Sequence, residues 1–424
     1  MTIKPLKNIS GAFDLPGDKS ITHRAIMLNS IAEGEAKVYN ALLGEDCLAT
    51  IDCMKKLGAK ISIEPDCVII QGAKRLKSSQ ELYVGNSGTT IRLLTGLLCG
   101  AGVSAELDGD DSIKKRPMNR IIEPLTMMGA KISSAPGGYA PLRIKGGGLK
   151  GIEYEMPVAS AQVKSCLLLA GLFADGPTTI IEPIKTRNHT ELMLEAMSAD
   201  IVCHKNRITI SKSKLKSIDV NVPGDISSAA YLMILATILK DSYIVLKNVG
   251  VNPTRTGILD ILKICGAKIT MLNKRSTGEE PVSDILIQSA DTIKPFVIGG
   301  DLIPRLIDEI PILAVLACFA EGRSVIKDAK ELKVKESNRI DTTVNMLKKM
   351  GARIEATDDG MVIDGTGVLM GGVEIDAGLD HRLAMSAAIA GAVSLDGVEI
   401  KNPEIVNVSF PGFFKIFERG EAEA

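Results

Sequence analysis

Cations, carboxylates and hydroxyls recur in this 424-residue chain at spacings suited to gripping small anions and moving protons. Lys19, Ser20 and Arg24 follow a Pro16-Gly17 turn. Asp18 or Ser20 can cap a helix that starts there, and Ser20 and Arg24, four apart, share one of its faces. A helix start presents free N–H groups and the positive end of its dipole, so the same residues suit either an ordinary capped helix or an anion seat. Gly85-Asn86-Ser87-Gly88-Thr89-Thr90 is a glycine-hydroxyl turn that can cradle a phosphate or simply cap a helix. It lacks the Gly-Lys-Ser/Thr ending of a nucleotide loop, and Gly17-Asp18-Lys19-Ser20 has Asp where the second glycine of such a loop belongs. The loop 110–118 carries Lys114, Lys115 and Arg116 in succession, as a solvated charge run or as an anion contact, and Pro117 is expected to start the next helix. In Lys333-Val334-Lys335-Glu336-Ser337-Asn338-Arg339 the spacing places Lys335 and Arg339 on one helical face, which suits a surface ion-pair helix. Lys335 beside Glu336 equally suits an acid–base pair whose members tune one another.

These groups sit at the openings of a repeated element. One phrase, an amphipathic helix ending in a small pair before a basic residue and a strand, occurs at Leu57-Gly58-Ala59-Lys60, Met128-Gly129-Ala130-Lys131, Met197-Ser198-Ala199-Asp200, Cys265-Gly266-Ala267-Lys268 and Met350-Gly351-Ala352-Arg353, with Asp in the basic position once. The alanines lie 71, 69, 68 and 85 residues apart (130−59, 199−130, 267−199, 352−267). A second phrase, apolar nearly all round and therefore a buried helix, occurs six times, at 19–31, 88–98, 161–173, 227–239, 308–319 and 381–393. Four of these run into a glycine turn, at Gly34, Gly100, Gly176 and Gly322. The openings hold Lys19, Ser20 and Arg24; 86–90; Ser160, Gln162 and Lys164; Asp225, Ser227 and Ser228; Asp308 and Glu309; and Asp380, His381 and Arg382. The expected unit is βαβαββ. The sixth copy stops after a surface helix near 413–418, and the stretch 3–15 is expected to supply its missing strands. The expected domains are 18–223, with three repeats, and 1–17 plus 224–424, with the other three.

Composition narrows the partners. A formal net charge of −1 gives no general attraction to nucleic acid or membrane, so an anion site must be local. Aromatic residues are 3% of the chain and Trp is absent, which disfavours base stacking. Eight scattered cysteines without a C-x-x-C pair read as reduced core residues of a cytoplasmic protein, and no metal site is expected. Apolar runs such as 229–239 fall far short of the roughly 20 residues that span a bilayer, and the N-terminus lacks a targeting pattern.

Jointly, these residues resemble the enolpyruvyl transferases over nearly the whole chain. Leu15-Pro16-Gly17-Asp18-Lys19-Ser20 with Arg24, Gly85-Asn86-Ser87-Gly88-Thr89-Thr90 with Arg92, Arg116-Pro117-Met118, Ser160-Ala161-Gln162, Pro223-Gly224-Asp225-Ile226-Ser227-Ser228, Lys335-Glu336-Ser337-Asn338-Arg339 and Asp380-His381-Arg382 stand in family order. Ser160-Ala161-Gln162-Val163-Lys164 and Asn252-Pro253-Thr254-Arg255-Thr256-Gly257 are similar to the second class of these enzymes. The resemblance implies an α/β (α+β) fold, a two-domain inside-out α/β barrel of six βαβαββ repeats with its active site in the interdomain cleft. It implies transfer of the enolpyruvyl group of phosphoenolpyruvate to the 5-hydroxyl of shikimate 3-phosphate, a step toward chorismate and the aromatic amino acids, by a monomer without metal or organic cofactor. Both substrates carry phosphate and carboxylate, which suits bidentate Arg and point-charge Lys.

By position, the resemblance gives phosphoenolpyruvate to Lys19, Gly88, Arg116, Gln162, Arg339 and Arg382. It gives shikimate 3-phosphate to Lys19, Ser20, Arg24, Ser160, Ala161, Gln162, Asp308 and Lys335. Asp308 would take the 5-hydroxyl proton, while Lys335 and Glu336 would serve the leaving phosphate and the methylene proton, with Lys19 touching both substrates. Three departures stand out. Val408-Ser409-Phe410-Pro411 lacks the Lys that first-class members place before Phe-Pro. Ala161 replaces a second Ser of the first class, for which Ser160 and Lys164 are expected to compensate. Gly88 stands where an alanine is associated with glyphosate tolerance, so glyphosate is expected to inhibit. The rival reading within the family is the transferase acting on UDP-N-acetylglucosamine, which usually has a reactive Cys in the loop matching 110–118 and an Asn after the first Lys; this chain has neither. A non-catalytic phosphometabolite-binding protein is the rival from another class.

Overall fold

The computed structural model describes the backbone of residues 1–421 and the side chains of residues 1–418. The chain gathers into two compact units, one of residues 17–223 with 276–280, the other of residues 1–16, 224–275 and 281 onward. Each has its own apolar core.

Among the described residues, each core is organised on three buried helices: Lys19–Asn29, Gly88–Ala101 and Ala161–Gly171 in the first unit, Ile226–Ile238, Ile310–Cys318 and His381–Ala392 in the second. Their apolar residues point every way because core surrounds them, and each fully buried Leu or Ile contributes about 1.5–3 kcal/mol of transfer free energy. Five are started by a side-chain cap, from Asp18, Ser87, Ser160, Asp225 and Asp380. The Ile310–Cys318 helix instead grows out of a 3-10 turn, Ile307–Glu309, and has Pro311 in its first turn, where a missing N–H costs nothing. Hence the polar openings have a local role before any other, since they satisfy the N–H groups that a buried helix start leaves over.

A partner helix accompanies each: Glu45–Lys56, Asn119–Met127, His189–Ala196, Gly257–Ile264, Arg339–Lys349 and Lys415–Glu421. The first five end in a left-handed residue, with φ of 107° at Gly58, 99° at Gly129, 66° at Ser198, 92° at Gly266 and 90° at Gly351. A Cβ is strained there by about 1–2 kcal/mol, which is why four of the five copies use glycine. The last helix is less of a surface element than its sequence suggests. Ile416 and Phe417 are buried, and Phe413 packs edge-on against Tyr231, Phe410, Phe414 and Phe417.

Among the described residues, six small sheets complete the units. In the first unit the orders are Val220–Asn221, Glu35–Tyr39, Cys67–Gln71, Lys60–Ile63; then Ser79–Tyr83, Ala105–Asp108, Tyr139–Lys145, Lys131–Ala135; then Glu153–Glu155, Thr178–Ile181, Arg207–Ile210, Ile201–His204. In each, the first pair is parallel and the rest antiparallel. The second unit repeats the scheme in Ser10–Phe13, Tyr243–Gly250, Glu280–Gln288, Lys268–Thr277 and in Val297–Ile298, Arg323–Ile326, Met361–Asp364, Arg353–Ala356. Its third sheet has three strands, Val373–Asp376, Val398–Lys401 and Thr2–Ile3. The N-terminal stretch is therefore divided. Thr2–Ile3 completes the last sheet, whereas Ser10–Phe13 is the parallel edge of the sheet around Tyr243–Gly250.

Three local expectations are corrected. Gly100 does not end its helix, which continues to Ala101 and closes on Gly102 at φ 69°. Pro117 does not begin a helix, since a 3-10 turn at Ile113–Lys115 precedes it and the helix opens at Asn119. Lys335 and Arg339 do not share a helical face. Lys335 is extended after the 3-10 turn Lys330–Val334, and the helix starts at Arg339 behind the Asn338 cap, whose Oδ1 accepts from Asp341 N at 3.4 Å.

Candidate active site

In the unit of residues 17–223, the Lys19 helix begins where the Pro16-Gly17 turn releases it and Asp18 Oδ1 accepts from Ile21 N at 2.9 Å. This places Lys19 on the first turn, its Nζ 3.1 Å from Asp46 Oδ2 on the neighbouring helix. Arg24 lies one turn further and is buried. Its Nε donates to Thr190 Oγ1 at 2.6 Å, Nη2 to Ser165 Oγ at 2.8 Å, and Nη1 to Ser20 O at 3.0 Å. All three acceptors are neutral. Burial lowers this guanidinium to a pKa of about 10, the nearby charge of Glu191 opposing it and that of Arg187 reinforcing it. No carboxylate is among the hydrogen-bond acceptors of this buried cation.

Arg116 is a further buried cation of this unit. Its Nη2 donates to Asn86 Oδ1 at 2.6 Å and to Ser112 Oγ at 3.0 Å, so the 85–90 turn and the 110–116 loop hold it together. Gly88, the first residue of the capped helix, lies against it, and a Cβ there would stand 2.8 Å from Arg116 Nη1 and 2.7 Å from Arg92 Nη1. Gln162 Nε2 donates to Thr89 Oγ1 at 2.8 Å, bringing the Ser160-Ala161-Gln162 opening to the same turn. Hydroxyls join the Glu45–Lys56 helix to the 85–90 turn. Thr50 Oγ1, one turn beyond Asp46, lies 2.7 Å from Thr90 Oγ1, which donates to Ser87 Oγ at 2.7 Å. Lys164 does not compensate for Ala161. It is fully buried, with Nζ 3.0 Å from Glu182 and 2.6 Å from Glu191, and is thus committed to two carboxylates.

The other unit assembles a different group. Asp308, on the 3-10 turn before its helix, has one oxygen 3.5 Å from Lys335 Nζ and 3.4 Å from Arg339 Nη1, and the other 3.8 Å from Arg382 Nη2. Arg339 Nη2 is 2.6 Å from Glu336 Oε2. Asp380 receives Arg339 Nε at 2.9 Å and Nη2 at 3.2 Å, Ser337 Oγ at 2.8 Å, and the backbone N of Arg382 at 3.0 Å. One carboxylate therefore caps the helix that carries Arg382 and clamps Arg339. Burial opposes charge on both arginines, yet the Asp380 and Glu336 carboxylates hold Arg339 above its ordinary value, and chiefly Asp308 does the same for Arg382. Lys335, Glu336, Arg339, Arg382 and Asp308 thus meet in one cluster.

The structure brings together Gly88, Arg116 and Gln162, places Lys19, Ser20 and Arg24 on one helix, and makes Ser160 and Ala161 the cap and first residue of the Gln162 helix. Val408, which stands in the stretch without the first-class Lys, ends the 3-10 turn Pro403–Val408 and is buried. Sequence reasoning passed over Asp46, Ser165 and Thr190. Ser165 had a legible signal, a hydroxyl inside an otherwise apolar helix, while Asp46 looks like any first-turn acid of a surface helix. Among the described residues, no three His, Cys, Asp or Glu side chains converge to hold a metal ion, and no helix is long and apolar enough to cross a membrane.

Comparison with known proteins gives concordant results. The family model described as EPSP synthase (3-phosphoshikimate 1-carboxyvinyltransferase) matches residues 3–417. A 3-phosphoshikimate 1-carboxyvinyltransferase of Thermoanaerobacter sp. (strain X514) is 53% identical over 419 residues, covering 98% of this chain and 99% of the relative. The protein of that name from Bacillus subtilis (strain 168) is 49% identical, with 97% of each chain covered. Among solved structures, EPSP synthase from Acinetobacter baumannii superposes with a TM-score of 0.86 at 43% identity, over 99% of this chain and 97% of that one.

Proposed function

This chain belongs to the EPSP synthase family, and we propose that both of its cation clusters serve the family's reaction. It is an enolpyruvyl transferase of the shikimate pathway. The 5-hydroxyl oxygen of shikimate 3-phosphate adds to C2 of phosphoenolpyruvate while C3 gains a proton; loss of inorganic phosphate and of one C3 proton then restores the double bond. The fully buried Arg24, with Ser20, Ser160, Ala161 and Gln162, holds shikimate 3-phosphate. Arg116, Gly88, Gln162, Arg339 and Arg382 hold phosphoenolpyruvate, and Lys19 reaches both. Asp308 takes the hydroxyl proton, and Glu336 and Lys335 serve C3 and the departing phosphate. The observation that carries this reading is the convergence of Lys335, Arg339 and Arg382 on Asp308. An anion bound to the three cations there would lie beside the base.

The direct test is phosphate release by the purified protein from phosphoenolpyruvate with shikimate 3-phosphate, and in parallel with UDP-N-acetylglucosamine. Turnover with the first acceptor alone is expected; turnover only with the second, or binding without turnover, would overturn the assignment. We also propose that the protein is a cytoplasmic monomer and that glyphosate inhibits it in competition with phosphoenolpyruvate. The close approach of Gly88 to Arg116 supports the latter, because Gly88→Ala would press a methyl group against the guanidinium. Inhibition should therefore weaken in Gly88→Ala, and full native activity in saturating glyphosate would refute the proposal.

A further inference from the structure

We infer that Glu309 is a positioning residue that aims Asp308 through a buried chain of hydrogen bonds to Ser227 and Arg255. The inference rests on the assignment of Asp308 to proton transfer. Asp308 and Glu309 are neighbours on the 3-10 turn Ile307–Glu309, a turn with no side-chain cap of its own. Their side chains divide the work. Asp308 goes to Lys335, Arg339 and Arg382, whereas the Glu309 carboxylate accepts from Ser227 Oγ in the first turn of the Ile226–Ile238 helix. Ser227 Oγ in turn accepts from Arg255 Nη2 at 2.7 Å, and the same Nη2 lies 3.2 Å from Asp225 Oδ1. Asp225 closes the circuit by accepting from Ser227 N at 2.8 Å. The serine has one proton to give, and it goes to Glu309. Three remote stretches, 225–227, 255 and 309, are thereby tied at one hydroxyl.

The cost of this arrangement argues that it does more than fill space. Glu309 is 1% exposed, and its Oε2 has no hydrogen-bond partner among the described residues. An apolar side chain of similar volume would avoid that desolvation cost, and buried charge replaced by a well-packed apolar group is often neutral or stabilising. Departures from the most stable choice are expected where a site must be held in aim. Burial, with the Asp308 charge adding to it and Arg255 and Arg382 opposing, raises the Glu309 carboxyl above its ordinary value. Glutamine is thus a fair substitute, since its carbonyl oxygen can still accept from Ser227.

The test compares Glu309→Met, Glu309→Gln and Ser227→Ala by steady-state kinetics and thermal unfolding. Glu309→Met should lose about 10²-fold in kcat, the effect of a slight misplacement of a reacting group, with its melting temperature unchanged or raised. Glu309→Gln should recover most of that loss. Ser227→Ala should match Glu309→Met in kcat but melt lower, because the buried carboxylate loses its donor, and the double variant should have a kcat no worse than either single. Native kcat in Glu309→Met, or kcat and stability falling together without rescue by Gln, would overturn the inference. If Glu309→Met does not fold, Ser227→Ala decides by kcat alone, a native value overturning the inference. A native protein without turnover would sink the functional reading instead. The anchor would then be judged by amide hydrogen exchange at residues 308–310, which Glu309→Met should accelerate and Glu309→Gln should not.

Discussion

The two clusters solve the problem of burying a guanidinium in opposite ways. Arg24 is surrounded by Thr190, Ser165 and a backbone carbonyl, and burial lowers its pKa. Arg339 and Arg382 are as deeply buried, yet they are wrapped by Asp308, Asp380 and Glu336, and their pKa values rise. The first arrangement leaves a positive charge for a ligand to neutralise. The second is neutralised from within, its arginines already paired to the carboxylates of Asp308, Asp380 and Glu336. A phosphate is expected to bind most tightly where no carboxylate of the protein touches the cation. Chemistry is expected where opposite charges already face one another.

This contrast can be broken by replacing the arginines themselves. Arg339→Met should destabilise its unit by about 3–5 kcal/mol, because Asp380 and Glu336 would be left without their partner; a melt indistinguishable from native would show that the carboxylates are not held by it. Next in size, Asp308→Ala should lower kcat by at least about 10²-fold, and a near-native rate would remove Asp308 from the reaction. Arg24→Met tests the other side. It should raise KM for shikimate 3-phosphate by about ten- to a hundredfold, the worth of one charged hydrogen-bonding partner, and leave stability unchanged or higher, because a desolvated cation has been removed. A large loss of stability in Arg24→Met would place it in the same class as Arg339.

The smallest effect sharpens the contrast through pH. His23, buried one residue before Arg24, has Nδ1 2.8 Å from Thr50 Oγ1, and burial, reinforced by Lys19 and Arg24, holds it well below its ordinary value. Its neutral form is favoured in the folded state, so its contribution to stability is present above about pH 6.5 and lost as pH falls toward the depressed value. Urea titrations should show stability declining below pH 6.5 with a slope of up to about 1.4 kcal/mol per pH unit. That part of the slope should be missing in His23→Asn, and equal slopes would dismiss the histidine.

Much of the fold was legible because it repeats. The glycine after each amphipathic helix, the all-apolar helices and the polar openings are local signals, and five of the six openings became caps. What misled was also local. The four-residue spacing of Lys335 and Arg339 imitates a helix, but Asn338 caps a helix that begins only at Arg339, and the two cations meet through Asp308 instead. Lys164 looked available to a substrate until Glu182 and Glu191 were found closing on it.

The amino-acid sequence by itself determined most of the helices, most of their caps and which side chains are able to grip an anion, because capping and periodicity depend on residues a few positions apart. Only the tertiary structure decided which cations keep their charge for a ligand. That depends on acceptors such as Thr190 for Arg24, or Asp380 for Arg339, brought from more than a hundred and from about forty residues away. Charge balance in a buried site is a property of neighbours in space, and no spacing along the chain encodes it.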